Sequence, residues 1–140
     1  MERGCVLYCE LPGDERLYVK DCRNGPYARV MDRSLLAEIL HPDREGEPEL
    51  NCSIARARVP AGEATLPHRL TASAEVYYIL AGEGTMYIGD ETARVYPDTL
   101  VYIPPGAVQH IRNTGASDLI FLCIVDPRWR SADEELVPLP

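Results

Sequence analysis

The 140-residue chain has the size of one ordinary domain, and 46% apolar with 26% charged residues is globular composition, away from the highly charged, weakly hydrophobic range of disordered chains. Twenty-two acidic against fourteen basic residues give a net charge of −8, which works against nucleic-acid phosphates and anionic lipid surfaces as partners. The opening Met1-Glu2-Arg3 starts no apolar signal segment and no apolar run is of membrane-spanning length, so a soluble cytoplasmic protein is expected.

Residues 1–33 read as an N-terminal extension. The five cysteines (Cys5, Cys9, Cys22, Cys52, Cys123) are odd in number and contain no two-residue-spaced pair, which favours reduced thiols. A zinc site from Cys5, Cys9, Cys22 and His41 is the alternative, although its spacing has no recognised form. Residues 34–40 carry apolar spacing that fits a short helix or a strand, and a strand is favoured before the His41-Pro42 break and the charged loop at 42–49.

From residue 53 the pattern is β throughout. Residues 53–59 alternate, with Ile54, Arg56 and Arg58 on one face and Ala55, Ala57 and Val59 on the other. A β-branched and aromatic strand at 75–80 turns at Gly82-Glu83-Gly84 into a return strand at 85–88. Gly89-Asp90 makes a second turn, and short strands follow at 92–96, 100–103, 108–112 and 119–125, with Pro104-Pro105-Gly106 as the main break. Short strands at about ten-residue spacing predict an all-β sandwich or barrel. In the tail, 127–140, Ser131 and Glu134 have capping-box spacing for a turn or two of helix on a surface arm, and Arg128-Trp129-Arg130 reads as a surface or subunit contact.

Two segments carry a family resemblance. Gly62, His68, Leu70, Glu75 and Gly82 have the spacing of the first cupin motif, where the Leu70 position is usually a second histidine. Asp98, Pro104-Pro105-Gly106, Gln109 and Asn113 resemble the second motif, with Asp98 at a usual glycine and Gln109 at a usual histidine. The resemblance covers about residues 50–126 and implies a double-stranded β-helix (jelly-roll) barrel over residues 34–126, commonly a homodimer, with a ligand site inside. It also implies a divalent metal ion as cofactor, here held by His68, Glu75 and Gln109. The interior pocket is expected to be lined by Arg56, Arg58, Leu70, Tyr77, Met86 and Tyr102.

The donor chemistry is weaker than in the family pattern. An isobutyl group at Leu70 removes a ligand, and a neutral glutamine oxygen is a harder donor than imidazole, so the site shifts away from late transition metals. His110 neighbours Gln109 on a strand and faces outward if Gln109 faces inward, unless a bulge exchanges them. An unpaired carboxylate at Glu75 in an apolar barrel is costly or takes up a proton, so it must be neutralised, by the metal shared with His68 and Gln109 or by Arg56 or Arg58. Three functions fit these residues: a metal-binding cupin acting on a small polar organic ligand, a metal-free small-molecule binding or sensing barrel, and a structural dimer using the outer apolar residues Val76, Tyr78 and Leu80.

Overall fold

The computed structural model describes residues 6–9 and 17–138. An antiparallel pair, β1 (Val6–Cys9) and β2 (Leu17–Lys20), precedes β3 (Ala28–Arg29), β4 (Leu35–Leu40), β5 (Ser53–Val59), β6 (His68–Leu70) and β7 (Ala74–Ala81). Then come β8 (Gly84–Ile88), β9 (Glu91–Val95), β10 (Leu100–Ile103), β11 (Gln109–Asn113), β12 (Leu119–Asp126) and β13 (Glu134–Leu136). The barrel strands form a six-stranded sheet in the order β10-β7-β12-β5-β4-β3 and a five-stranded sheet in the order β13-β6-β11-β8-β9. All pairings are antiparallel, and the architecture is the double-stranded β-helix that the cupin resemblance implied.

Period-two alternation drives the two inner faces together. Along β7 the buried residues are Glu75, Tyr77 and Ile79, and along β12 they are Leu119, Phe121, Cys123 and Val125. Ala57 and Val59 of β5, Met86 of β8, Ile103 of β10 and Ile111 of β11 complete the core from both sheets. Burying a large side chain such as Phe121 or Ile79 stabilises the fold by about 1.5–3 kcal/mol each.

The β7-β8 turn is set by close approach. A Cβ on Gly82, at φ +83, would lie 2.5 Å from the Asp118 carbonyl oxygen, and one on Gly84 would run into the Arg112 carbonyl. Asp98 also has a positive φ, 65°, so it adopts the left-handed conformation for which the family pattern uses glycine; its side chain accepts a 3.0 Å hydrogen bond from the Tyr78 hydroxyl.

The C-terminal end of the described chain departs from the sequence reading. Ser131 makes no capping box: Ser131–Asp133 is a single 3-10 turn with no side-chain cap, and the chain continues into β13. The segment expected as a surface arm pairs with β6, Glu134 opposite Leu70 and Leu136 opposite His68. Its anchor is non-local. Buried Asp133 accepts from the Thr71 hydroxyl at 2.5 Å and from the amides of Ala72 at 2.7 Å and Ser73 at 3.1 Å. Burial pushes the Asp133 carboxyl up, but these hydrogen bonds outweigh it and hold the group below the usual range.

The zinc set read from the sequence needs Cys5, which lies outside the described residues. Of its other members, His41 is otherwise engaged. Its Nδ1 accepts from the Asp43 amide at 3.2 Å, and its Nε2 donates to the Trp129 carbonyl at 2.8 Å. Among the described residues no helix is long and apolar enough to cross a membrane.

Candidate functional site

A partly open cavity of about 270 Å³ lies inside the barrel, walled by β4, β5, β6, β7 and β12 and bordered by the turn before β4 and the segment leading to β13. Strand parity aims His68 and Leu70 of β6 and Glu75 and Tyr77 of β7 into the barrel, and all four line this cavity. Gln109 of β11 stands directly behind them. It is fully buried, opposite His68 in the β6-β11 pairing.

These polar groups form a directed chain. The Tyr77 hydroxyl donates to Gln109 Oε1 at 2.8 Å, and Gln109 Nε2 donates to Glu75 Oε1 at 2.9 Å. The amide of Gln109 thus bridges the phenol and the carboxyl, its oxygen toward Tyr77 and its nitrogen toward Glu75. Glu75 is 8% exposed, and burial pushes its carboxyl up to about 8. The Gln109 hydrogen bond opposes that shift, while the negative charges of Asp32 and Glu134 add to it. At neutral pH Glu75 is mostly a neutral acid, so its burial is accommodated by a proton together with the amide of Gln109.

His68 is 3% exposed, and its Nδ1 faces the Leu66 carbonyl at 2.7 Å, which places the ring proton there. Nε2 has no hydrogen-bond partner among the described residues; the nearest carboxylate oxygen is Asp32 Oδ2 at 3.6 Å. Asp32 is itself oriented by the Ser34 amide and hydroxyl, 2.9 and 2.7 Å from its Oδ1.

The expected metal cofactor does not survive this geometry. Among the described residues no three His, Cys, Asp or Glu side chains gather so as to hold a metal ion. The remaining expected ligand, Gln109, has its oxygen committed to Tyr77 and turns its amide nitrogen, a donor, toward Glu75. The donor set does not fit a divalent cation, and the expectation of a metal at His68, Glu75 and Gln109 is corrected accordingly.

Four residues expected in the pocket are placed elsewhere. Arg56 and Arg58 occupy the outer face of β5, because the small side chains Ala55 and Ala57 fill the inner face. Arg56 Nε donates to the Tyr27 hydroxyl at 2.7 Å and a terminal nitrogen donates to the Cys22 carbonyl at 3.0 Å, while Arg58 Nε lies 2.9 Å from Asp118 Oδ2. Neither arginine balances Glu75. Tyr102 is 57% exposed because it pairs opposite Val76, and directly opposed residues share a face, here the outer one. Met86 is packed in the core between Ile111 and Ala93, away from the cavity. His110 also faces outward, stacked on the Tyr87 ring with centroids 4.2 Å apart.

Sequence reasoning missed Asp32, Trp129 and Glu134, which all line the cavity. Trp129, read as a surface or subunit contact, donates its indole N–H to Glu134 Oε2 at 2.7 Å and its backbone N–H to Ser53 Oγ at 2.9 Å. Only the capping-box spacing drew attention to Glu134, and it pointed to the wrong element. Nothing local in the sequence marks Asp32, which lies in the stretch read as an extension.

An all-β barrel with its polar cluster on the inner faces of two antiparallel sheets is the arrangement of the cupins, and the chain belongs to that family: the cupin domain matches over residues 55–125. An uncharacterised protein of Methanocaldococcus jannaschii is 37% identical over 113 residues, covering 80% of this chain and 87% of that protein. The oxalate-binding protein of Thermotoga maritima is 31% identical over 71 residues, 51% of this chain and 59% of the other. Among solved structures, the Streptomyces nucleoside dehydratase Pac13 superposes with a TM-score of 0.69 at 18% identity, over 88% of this chain and 92% of that one. A predicted oxalate decarboxylase of Thermotoga maritima superposes with a TM-score of 0.68 at 22% identity, over 78% and 98% of the two chains. At these identities the structural likenesses establish the fold alone.

Proposed function

We propose that this chain is a binding or sensing barrel that takes a small polar organic molecule into its interior without a metal. The observation that carries this reading is the partly open cavity itself: His68 and the neutral carboxyl of Glu75 share it with apolar walls at Leu70, Phe121 and Trp129. A few fixed polar groups in a mostly apolar cavity orient a small ligand while desolvating it. Relatives of this shape are named for small polar molecules, an oxalate-binding protein and a nucleoside dehydratase also seen with uridine, and these names support the same size class here. The free thiols of Cys22, Cys52 and Cys123 favour a reducing compartment such as the cytoplasm.

A fragment library screened by amide chemical-shift mapping tests the reading. Binders are expected to move resonances of β6, β7 and β12 together, with affinities and melting temperature unchanged by a chelator. If no compound moves those residues, or if chelation abolishes binding, the reading fails.

We further propose that the barrel pairs with a second copy through the outer face of the six-stranded sheet. Register sets two apolar rows side by side there, Leu100-Tyr78-Leu122 and Tyr102-Val76-Ile124, and Leu100 and Tyr102 are exposed. Contiguous apolar patches of this kind are uncommon on monomers. Sedimentation is expected to show a dimer, and Leu122→Asp a monomer that keeps its fold; a wild-type monomer at high protein concentration would rule the pairing out.

A further inference from the structure

Two groups able to move a proton share the cavity wall, and both are neighbours of Gln109. His68 of β6 stands directly opposite Gln109 of β11, and directly opposed residues on one face have Cβ atoms about 4.5–5.5 Å apart. The Gln109 amide donates to Glu75 Oε1 at 2.9 Å. One fully buried glutamine therefore spaces the imidazole from the carboxyl, and both line the same cavity.

The surroundings give each group a different task. His68 Nδ1 lies 2.7 Å from the Leu66 carbonyl, which keeps a proton on that nitrogen and leaves Nε2 as the one that takes a proton up. Asp32 Oδ2, 3.6 Å from Nε2, is too far for a hydrogen bond but close enough to stabilise the imidazolium that results. The Ser34 amide and hydroxyl hold that carboxylate in place. Glu75 is the reverse case. Its Oε1 accepts from Gln109, so the proton it carries at neutral pH sits on Oε2, and a carboxyl titrating near 8 is matched to proton donation at that pH. The Gln109 N–H remains as a donor to the carboxylate left behind. No lysine lines the cavity among the described residues, so a substrate carbonyl finds no amine for a Schiff base there, and charge developing on its oxygen is met by the Glu75 O–H.

We infer that the cavity enolises a small carbonyl compound, with His68 as the base and Glu75 as the acid. Nε2 takes a hydrogen from the carbon next to the carbonyl while the C–H electron pair becomes the C=C bond, and the oxygen, receiving the C=O π pair, takes the proton from Glu75 Oε2. The step leaves a neutral enol, an imidazolium beside Asp32 and a carboxylate beside Gln109. Its reverse returns both protons, and no oxidant, reductant or further reactant enters. Asp32 is a positioning residue here, because it acts through the imidazole. The inference rests on the binding reading above and goes beyond it, from holding a small polar molecule to reacting it.

Hydrogen exchange at carbon tests it. 2-Hydroxyacetophenone and 3-hydroxybutan-2-one are incubated with the protein in D2O at about pD 7.5, and loss of their α-proton signals is followed by NMR. With at least one of them, exchange is expected to run about a hundredfold or more above the buffer rate, within what a positioned acid and base supply. Glu75→Gln and His68→Ala are each expected to return it to the buffer rate, and added imidazole to raise the His68→Ala variant above the rate imidazole gives alone. Asp32→Asn is expected to lower the rate at saturating probe about tenfold while the probe's affinity, read from chemical shifts, stays within about twofold. Exchange at the buffer rate with the wild-type protein for both probes overturns the inference, as does exchange that survives Glu75→Gln or His68→Ala. A probe that shifts β6 and β7 resonances without exchanging removes the catalytic step and leaves the binding reading standing.

Discussion

Replacing Glu75 with glutamine is expected to flatten the dependence of stability on pH between about 5 and 8 and to make the protein more stable than wild type at pH 9. The folded-state carboxyl titrates near 8 against an ordinary value of 4.5. The folded state therefore holds a proton that the unfolded chain has released across that interval. The sign follows from linkage: where the folded state binds more protons, stability falls as pH rises. The contribution of Glu75 is fully present below about 4.5, declines through the interval and is lost above about 8. At about 1.4 kcal/mol per pH unit, the difference between the ends is on the order of 4 kcal/mol, a large part of a domain's total. Glutamine keeps an acceptor for the Gln109 amide and has no charge to bury, so the variant lacks the decline. Asp133, held below the usual range, acts only at lower pH and does not mask the effect. Urea unfolding from pH 4.5 to 9 measures it, and a wild-type profile that is flat across the interval would refute the assignment of a neutral Glu75.

Asp133→Ala is expected to lower stability by about 2–4 kcal/mol, because the buried Ser73 amide, the part-buried Ala72 amide and the Thr71 hydroxyl lose their acceptor together. The damage should extend to the cavity. Asp133 precedes Glu134, the first residue of β13, and the Trp129-Glu134 hydrogen bond closes that part of the wall. Hydrogen exchange over residues 129–136 is expected to rise more than over β5 or β12, and Asp133→Asn, which retains one acceptor oxygen, should fall between alanine and wild type. A loss under about 0.5 kcal/mol, with unchanged exchange, would show that the pairing of β13 with β6 suffices without the anchor.

The barrel was legible because its signal is local. Residues 53–59 alternate, Gly82 and Gly84 meet neighbouring backbone at the turn, and Asp98 adopts the positive φ of the glycine it replaces. Parity along a single strand was equally readable, as the inward Gln109 beside the outward His110 shows. Which of two faces turns inward was not readable where both offered plausible chemistry. Arg56 and Arg58 suggested a partner for Glu75, yet the alanines of β5 face the interior, and Arg56 finds Tyr27 from residues 29 positions upstream. The face of Tyr102 depends on its opposition to Val76, a register set by pairing rather than by its neighbours in sequence. Asp32, Trp129 and Glu134 reach the cavity only because the two ends of the barrel segment return to it. The metal was the inference with the least support in the residues themselves. Spacing survived at His68 and Glu75, but one glutamine hydrogen-bonded at both ends turned the expected ligand set into a proton-holding cluster.

The place of β12 in the six-stranded sheet bears on how the chain folds. This strand lies between β5 and β7 and pairs with both, although it follows them by about 60 and 40 residues. Until residue 126 is available, the two halves of that sheet have no common edge, and β7 and β5 each present an unpaired row of backbone groups. Such long-range closure is slow, and open strand edges are the species from which chains aggregate. The barrel thus matures only when its last long strand arrives, and a nascent chain stalled before Leu119 can pair β6, β11, β8 and β9 but cannot join β5 to β7.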